Sequence, residues 1–342
     1  MATYKDAGVD IAAKMAAIWQ MGAAVKATHG AAVLAGLGAF GGCFDLAQVN
    51  ANFDQPVLVA STDGVGTKTA VAAAVGDVRT IGADLVNHCI NDILCQGATP
   101  LFFLDYIAAS KLDPALIVQL VEGLAAACAA AGVALLGGET AEMPGIYHDG
   151  AFDLAGTIIG VVNRDHLLDG AAIAAGDVVL ALPSSGLHTN GYSLARQVCA
   201  PLGYAATPPE LGGLSIGAAL LAPHRAYVNE VRALRGAGVA IHGLVHITGG
   251  GIWDNVPRVV REGLTLELVR GAWEVPPICQ FVADQAQMEE HEAYHVLNMG
   301  LGMLLLVPAA GVLAAQTLVP QARLVGRVVA ATNEARVALV DA

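Results

Sequence analysis

Positive charge is what this 342-residue chain has least of: 17 Lys and Arg stand against 30 Asp and Glu, a formal net charge of -13, with no basic run or stripe. Nucleic acid and anionic membrane are drawn to clustered cations, so both are poor partners for it. A phosphorylated ligand would have to be held by backbone amides, a few local cations and metal ions. Cysteine is sparse as well, and the six thiols include no Cys-x-x-Cys pair, which argues against a zinc site. No cationic segment leading into an apolar stretch opens the chain, so the expectation is a cytoplasmic protein with free thiols. An uncharged run does extend from Val296 to Ala322, but Gly300, Gly302, Pro308, Gly311 and Pro320 interrupt it. It reads as a buried strand followed by a short helix, not as a membrane span. What abounds, 55% hydrophobic residues and 40 glycines, marks a folded chain with many tight turns.

The length suits two domains, each able to bury a core. Pro56 to Ser61 is an apolar run that reads as a strand delivering the loop Thr62-Asp63-Gly64. From Ile81 to Gln96, helical spacing puts Asp84, His88, Asn91, Asp92 and Cys95 on one side, with Val86, Cys89, Ile90, Ile93 and Leu94 opposite. A strand at Leu101 to Ala108, a helix from Pro114 to Ala131 stopped by Gly132, and strands at Val133 to Leu136 and Phe152 to Val162 complete an α/β half. The boundary falls near Asp169, giving domains 1–169 and 170–342. The second half is also mixed α/β, with a strand from Asp177, a Pro/Gly-rich surface excursion at Pro201 to Gly217, a helix to Arg235, and a strand at Val239 to Ile247.

Gly36-Leu37-Gly38-Ala39-Phe40-Gly41 matches the dinucleotide fingerprint, yet the polar residues and Pro56 that follow leave no room for its helix, so a glycine-rich flap or simple loop is expected. The run Ser61 to Lys68 ends in Lys-Thr like a phosphate loop, but Thr67 stands where that motif needs Gly. Asp63 at the strand end, followed by Gly64 and Gly66, can hold magnesium while exposed amides and Lys68 face phosphate oxygens; the alternative is a hairpin or strand-helix turn with a solvated lysine. Asn91-Asp92 adds a second carboxylate and Gly137-Gly138-Glu139 a third, a set that suits magnesium on a polyphosphate. Taken singly, Asp92 could be a solvated helix face and Glu139 a capping residue. In the second half, Ser184-Ser185-Gly186-Leu187-His188-Thr189-Asn190 presents hydroxyls, an imidazole and an amide at a helix start, a good phosphate cradle. His246 precedes Gly249-Gly250-Gly251, which allow close backbone approach to a ligand, although a lone strand histidine is more often structural.

Together these runs resemble the phosphoribosylformylglycinamidine cyclo-ligase (AIR synthetase) family, beginning at Tyr4-Lys5-Asp6-Ala7-Gly8-Val9-Asp10-Ile11 and covering nearly the whole chain. Further matching pieces are Asn91 to Leu94, Gln96 to Ala98, Leu101 to Tyr106, Gly137 to Gly145, Asn190 to Leu194 and Asn298 to Met303. The resemblance implies a homodimer whose amino-terminal domains pair into a shared β-barrel. It also implies ATP and magnesium as reactants in closing the imidazole ring of formylglycinamidine ribonucleotide to give aminoimidazole ribonucleotide. Carried over by motif, Asp63 and Asp92 would bind magnesium, Glu139 metal or substrate, and Thr62, Gly64, Gly66, Thr67, Lys68, Asn91 and Gly138 the nucleotide. His188, Ser185 and Asn190 would face the ligand, and His246 would move a proton, an assignment made from the chemistry of ring closure. Leu187 stands where the family usually has Pro, and His295-Val296-Leu297 replaces a more polar stretch. Selenophosphate synthetase, thiamine-phosphate kinase and a hydrogenase-maturation dehydratase are the rival enzyme readings. The dehydratase works through a carboxy-terminal cysteine, whereas this chain ends Asp341-Ala342. A nucleotide-binding sensor is the rival without chemistry.

Overall fold

The computed structural model describes residues 20–50 and 52–341; the Tyr4 to Ile11 run lies outside them. Contacts divide the chain into two units, one running to Ile93 and resuming over Ala98–Asp165, the other made of Leu94–Gly97 and His166 onward.

In the first unit a short hairpin, β1 (Val33–Ala35) and β2 (Cys43–Phe44), brackets the glycine run at 36–41. No helix follows that run directly, so the dinucleotide reading fails on structure as it does on sequence. The main sheet has the order β3 (Pro56–Gly64), β6 (Phe152–Asn163), β4 (Thr99–Ala109), β5 (Ala134–Glu142). Its β4–β5 pair is parallel and the others antiparallel. Strand β3 reaches past Ser61 to include Asp63 and Gly64, and β5 includes Gly137 to Glu142, so both predicted loops are strand ends.

Alternation sorts the sheet's two faces. In β3, Val57, Val59, Ser61 and Asp63 are half-buried while Leu58, Ala60 and Thr62 are exposed. A strand that alternates this way presents one face to a core and the other outward. The covering helices are Ile81–Leu94 and Pro114–Ala131. They cross where glycines meet: a Cβ on Gly82 would strike the backbone of Leu120 and Leu124, and one on Gly123 that of Arg79. Helix Pro114–Ala131 starts at an Asp113 cap, with Pro114 in the first turn, and stops at Gly132 in the left-handed region. By length and composition it could cross a membrane, but Ile117, Leu120, Val121, Leu124 and Cys128 form a buried core face.

The second unit holds a six-stranded sheet in the order β12 (Val337–Val340), β9 (Leu264–Val269), β11 (Arg323–Ala330), β7 (Val178–Pro183), β10 (Leu301–Val307), β8 (Gly243–His246). Only the β12–β9 pair is parallel. Strand β10 is buried throughout, and helix Val312–Leu318 follows it, as the glycine and proline breaks in the uncharged run predict. Val179, Val245, Leu266, Leu304 and Val325 belong to the core on one side of the sheet.

Candidate active site

Two clusters of polar side chains stand out, one in each unit. In the first, the end of β3 lies against helix Ile81–Leu94. His88 Nε2 is 2.7 Å from Asp63 Oδ2 and 3.8 Å from Asp92 Oδ2, and Ser61 Oγ donates to Asp92 Oδ2 at 3.2 Å. Burial opposes charge on His88, but the hydrogen bond to Asp63 and the charges of Asp92, Asp63 and Asp84 outweigh it and raise its pKa. Two carboxylates facing one imidazole, with a hydroxyl bonded to one of them, bring hard oxygen donors together, the kind that hold magnesium. The donors are of the type that ion takes, and Asp63 and Asp92 would be the residues to hold it. His88 lies on the polar stripe that the helical spacing predicts, but its place between the carboxylates depends on how strand and helix pack.

Two predicted residues fall elsewhere. Lys68 opens helix Lys68–Val75 and is fully enclosed, its Nζ 2.8 Å from Asp84 Oδ2, itself fully enclosed. Burial lowers its pKa, and Asp84 opposes that shift by holding the ammonium charged. In this structure the partner of the Lys68 ammonium is the Asp84 carboxylate. Glu139 likewise does not join Asp63. The cross-strand row runs Asp63, Gly156, Asp105, Gly138, which puts three strand spacings, about 14 Å, between Asp63 and the strand carrying Glu139.

Glu139 instead lines a cavity of about 370 Å³ with Asp105, Gly137, Gly138, Thr140, Met21, Val25 and Leu37. Desolvation raises the Asp105 carboxyl to about 7, and the Glu139 charge adds to the shift. A Cβ on Gly138 would strike that carboxyl, so glycine is what admits it. Asp105 was missed by motif reasoning; its only signal is a carboxylate inside an otherwise apolar strand. Of the remaining nucleotide candidates, Gly64 N–H donates to Asp63 Oδ1 at 2.7 Å, and Gly66, with φ of 69°, turns the chain. Thr67 is exposed at the helix start. Thr62 points to the opposite sheet face, 2.7 Å from Thr157 Oγ1, and Asn91 is fully buried.

The second cluster sits at the ends of β7 and β8. Asn298 organises it: its Oδ1 accepts from Ser184 Oγ and Gly300 N, both at 2.9 Å, and its Nδ2 donates to Gly186 O at 2.8 Å. The turn it holds presents His188 with φ of 60°, a left-handed conformation that non-glycine residues rarely adopt. Ser185 N–H donates to His188 Nε2 at 3.3 Å, which places the proton of the neutral ring on Nδ1. Ser185 Oγ donates to Pro223 O and is turned toward that loop. Asn190 is half-buried, and its enclosed Nδ2 has no acceptor among the described residues. Three imidazoles meet here. His188 stacks on His224 with centroids 4.0 Å apart, and His224 Nε2 lies 3.2 Å from His246 Nε2. Sequence reasoning picked out His188 and His246 but not His224, which no motif flanks. The six cysteines are all free, and burial pushes Cys199 up to about 11 and Cys279 to about 12, leaving both inert near neutral pH.

Known proteins locate these features in a family. Residues 18–162 match the family described as AIR synthase related protein, N-terminal domain, and 174–338 its C-terminal domain counterpart, so the chain is built as an AIR-synthase-related protein. Among solved structures, a hydrogenase maturation protein HypE in complex with ATP matches with TM-score 0.68 at 19% identity, covering 98% of this chain and 94% of that one. A thiamine-monophosphate kinase from Stenotrophomonas maltophilia matches with TM-score 0.67 at 16% identity, covering 94% and 95%. Curated relatives are far nearer in sequence. The phosphoribosylformylglycinamidine cyclo-ligase of Thermosynechococcus vestitus is 46% identical over 92% of this chain and 91% of its own length, and that of Desulfitobacterium hafniense 48% over 89% of each. This chain belongs to the phosphoribosylformylglycinamidine cyclo-ligase family.

Proposed function

We propose that the protein is the ATP-dependent ligase that closes the imidazole ring of formylglycinamidine ribonucleotide in purine synthesis, releasing ADP and phosphate. The observation that carries this reading is identity of 46–48% to cyclo-ligases over about nine-tenths of the chain, far above the 16–21% shared with kinase and maturation relatives. In the reaction the formyl oxygen attacks the γ-phosphorus of ATP and ADP leaves. An amidine nitrogen then attacks the activated carbon, the C–O bond breaks, and phosphate departs while nitrogen loses a proton. Magnesium held by Asp63 and Asp92 would neutralise phosphate charge during that transfer. His188 and Asn190 are assigned to the substrate, with the enclosed amide of Asn190 as a donor. His246 is assigned the proton transfer, an imidazole being able to give and take a proton near neutral pH.

The working form is read as a cytoplasmic homodimer. Its support is the outer face of the first unit's sheet, which no described helix covers and where Leu58 is 58% and Tyr106 38% exposed. An exposed apolar sheet face of this kind is a liability for a single chain.

Oxygen-18 in the formyl group tests the chemistry. Cyclisation moves the label into inorganic phosphate, which mass spectrometry reads directly. Phosphate that stays unlabelled during turnover would end the cyclo-ligase reading. His246→Asn is expected to lower kcat by about 10²–10⁴ while ATP binding holds.

A further inference from the structure

His224 is the one fully buried member of the imidazole cluster that the proposed reaction leaves without a task. It lies on the segment between helix Ile216–Leu220 and helix Val228–Gly236 and is 0% exposed. Both of its nitrogens are engaged: Nδ1 is 3.2 Å from Thr189 Oγ1, and Nε2 is 3.2 Å from His246 Nε2. Its face carries His188, the rings stacked at 18°. One side chain therefore touches both imidazoles assigned to the reaction.

The Nε2 to Nε2 contact constrains protons. A neutral imidazole has one N–H and one lone pair, so two facing nitrogens bond only when one carries a proton and the other does not. The tautomers of His224 and His246 are thereby tied together. If Thr189 donates to His224 Nδ1, then His224 Nε2–H donates to His246, whose own proton sits on Nδ1. If His224 Nδ1–H donates to Thr189, then His246 donates through Nε2 and its Nδ1 is left as a base. In either case the His246 tautomer follows from that of His224, which its own contact with Thr189 sets. A catalytic imidazole commonly has its second nitrogen fixed by a neighbour that sets tautomer and ring angle.

We propose that His224, anchored by Thr189, is a positioning residue that fixes the tautomer and orientation of His246. The proposal rests on the reading that His246 moves a proton. Its test uses the full-length enzyme with His224→Phe, which keeps a flat ring of similar shape, and His224→Gln, which restores a polar group toward His246. Two readouts are taken: steady-state kinetics, and the nitrogen-15 signals of the His246 ring in the free enzyme, which distinguish its tautomers. His224→Phe should lower kcat by about 10–100-fold with KM changed by less than about twofold, and should replace a single His246 tautomer by a mixture. His224→Gln should recover most of both. Full turnover in His224→Phe overturns the proposal, and so does lost turnover with an unchanged His246 tautomer, which would mark a purely structural side chain. If His224→Phe does not fold, Thr189→Val removes the anchor alone and should shift the tautomer the same way; an unshifted His246 spectrum there also overturns it. Full activity in His246→Asn would instead remove the underlying reading, and the free-enzyme spectrum would still report whether the two rings are coupled.

Discussion

Lys68 offers the sharpest test of sequence logic against structure, since motif and packing assign it opposite roles. Its ammonium and the Asp84 carboxylate are both at 0% exposure and 2.8 Å apart. Removing one partner of such a pair leaves an uncompensated buried charge, at a cost of about 3–5 kcal/mol. For a domain of this size each kcal/mol is worth about 2–4 °C, so Lys68→Met should lower the melting temperature of the first unit by roughly 6–20 °C. The double variant Lys68→Met, Asp84→Leu removes both charges and should regain most of the loss, because apolar residues replace a buried pair nearly neutrally. Calorimetry without nucleotide gives the stabilities, and the KM for ATP is measured below the transition. A Lys68→Met enzyme that melts within about 2 °C of the parent and has an ATP KM raised about tenfold would refute the argument. The ammonium would then be working on phosphate.

Three further expectations follow from the same geometry. Asp92→Asn keeps shape but deletes the charge of the proposed magnesium ligand, so folding should persist while magnesium-dependent turnover disappears; unchanged magnesium dependence would leave Asp92 as a structural partner of Ser61 and His88. Asp105, with its carboxyl raised to about 7, binds more protons folded than unfolded between pH ~4 and ~7, so it costs stability as pH rises through that window. Asp105→Asn should match the parent's melting temperature near pH 4 and exceed it near pH 8, and equal temperatures at both would show that the carboxyl is not desolvated. Sedimentation at low micromolar concentration should give about twice 34.7 kDa; a stable monomer would mean that the face carrying Leu58 and Tyr106 has no second copy on it.

Periodicity recovered most elements because each obeys a local rule. Helix Pro114–Ala131 is delimited by an Asp cap, a first-turn proline and a left-handed glycine, and the Val296 to Ala322 run by its own breakers. Asp63 and Asp92 drew attention as acidic residues beside glycines or on a narrow polar stripe, and the structure brings both to His88. Long-range order was not legible. That Glu139 stands three strands from Asp63 follows from the order β3, β6, β4, β5, which no local pattern encodes. The motif names the neighbours of Lys68 in sequence, whereas its neighbour in space is Asp84, sixteen positions on. His224 lies in Ala-Pro-His-Arg, where nothing reports that the segment folds back over β8.

The left-handed backbone at His188 narrows what can be exchanged there. That conformation costs a residue with a Cβ of order 1 kcal/mol or more, and glycine adopts it freely. Glycine at 188 would nevertheless delete a buried ring that stacks on His224, and the cavity left behind outweighs the strain relieved. The turn is held in its strained form by the packing of its own side chain, so a search for stabilising exchanges gains nothing at this position.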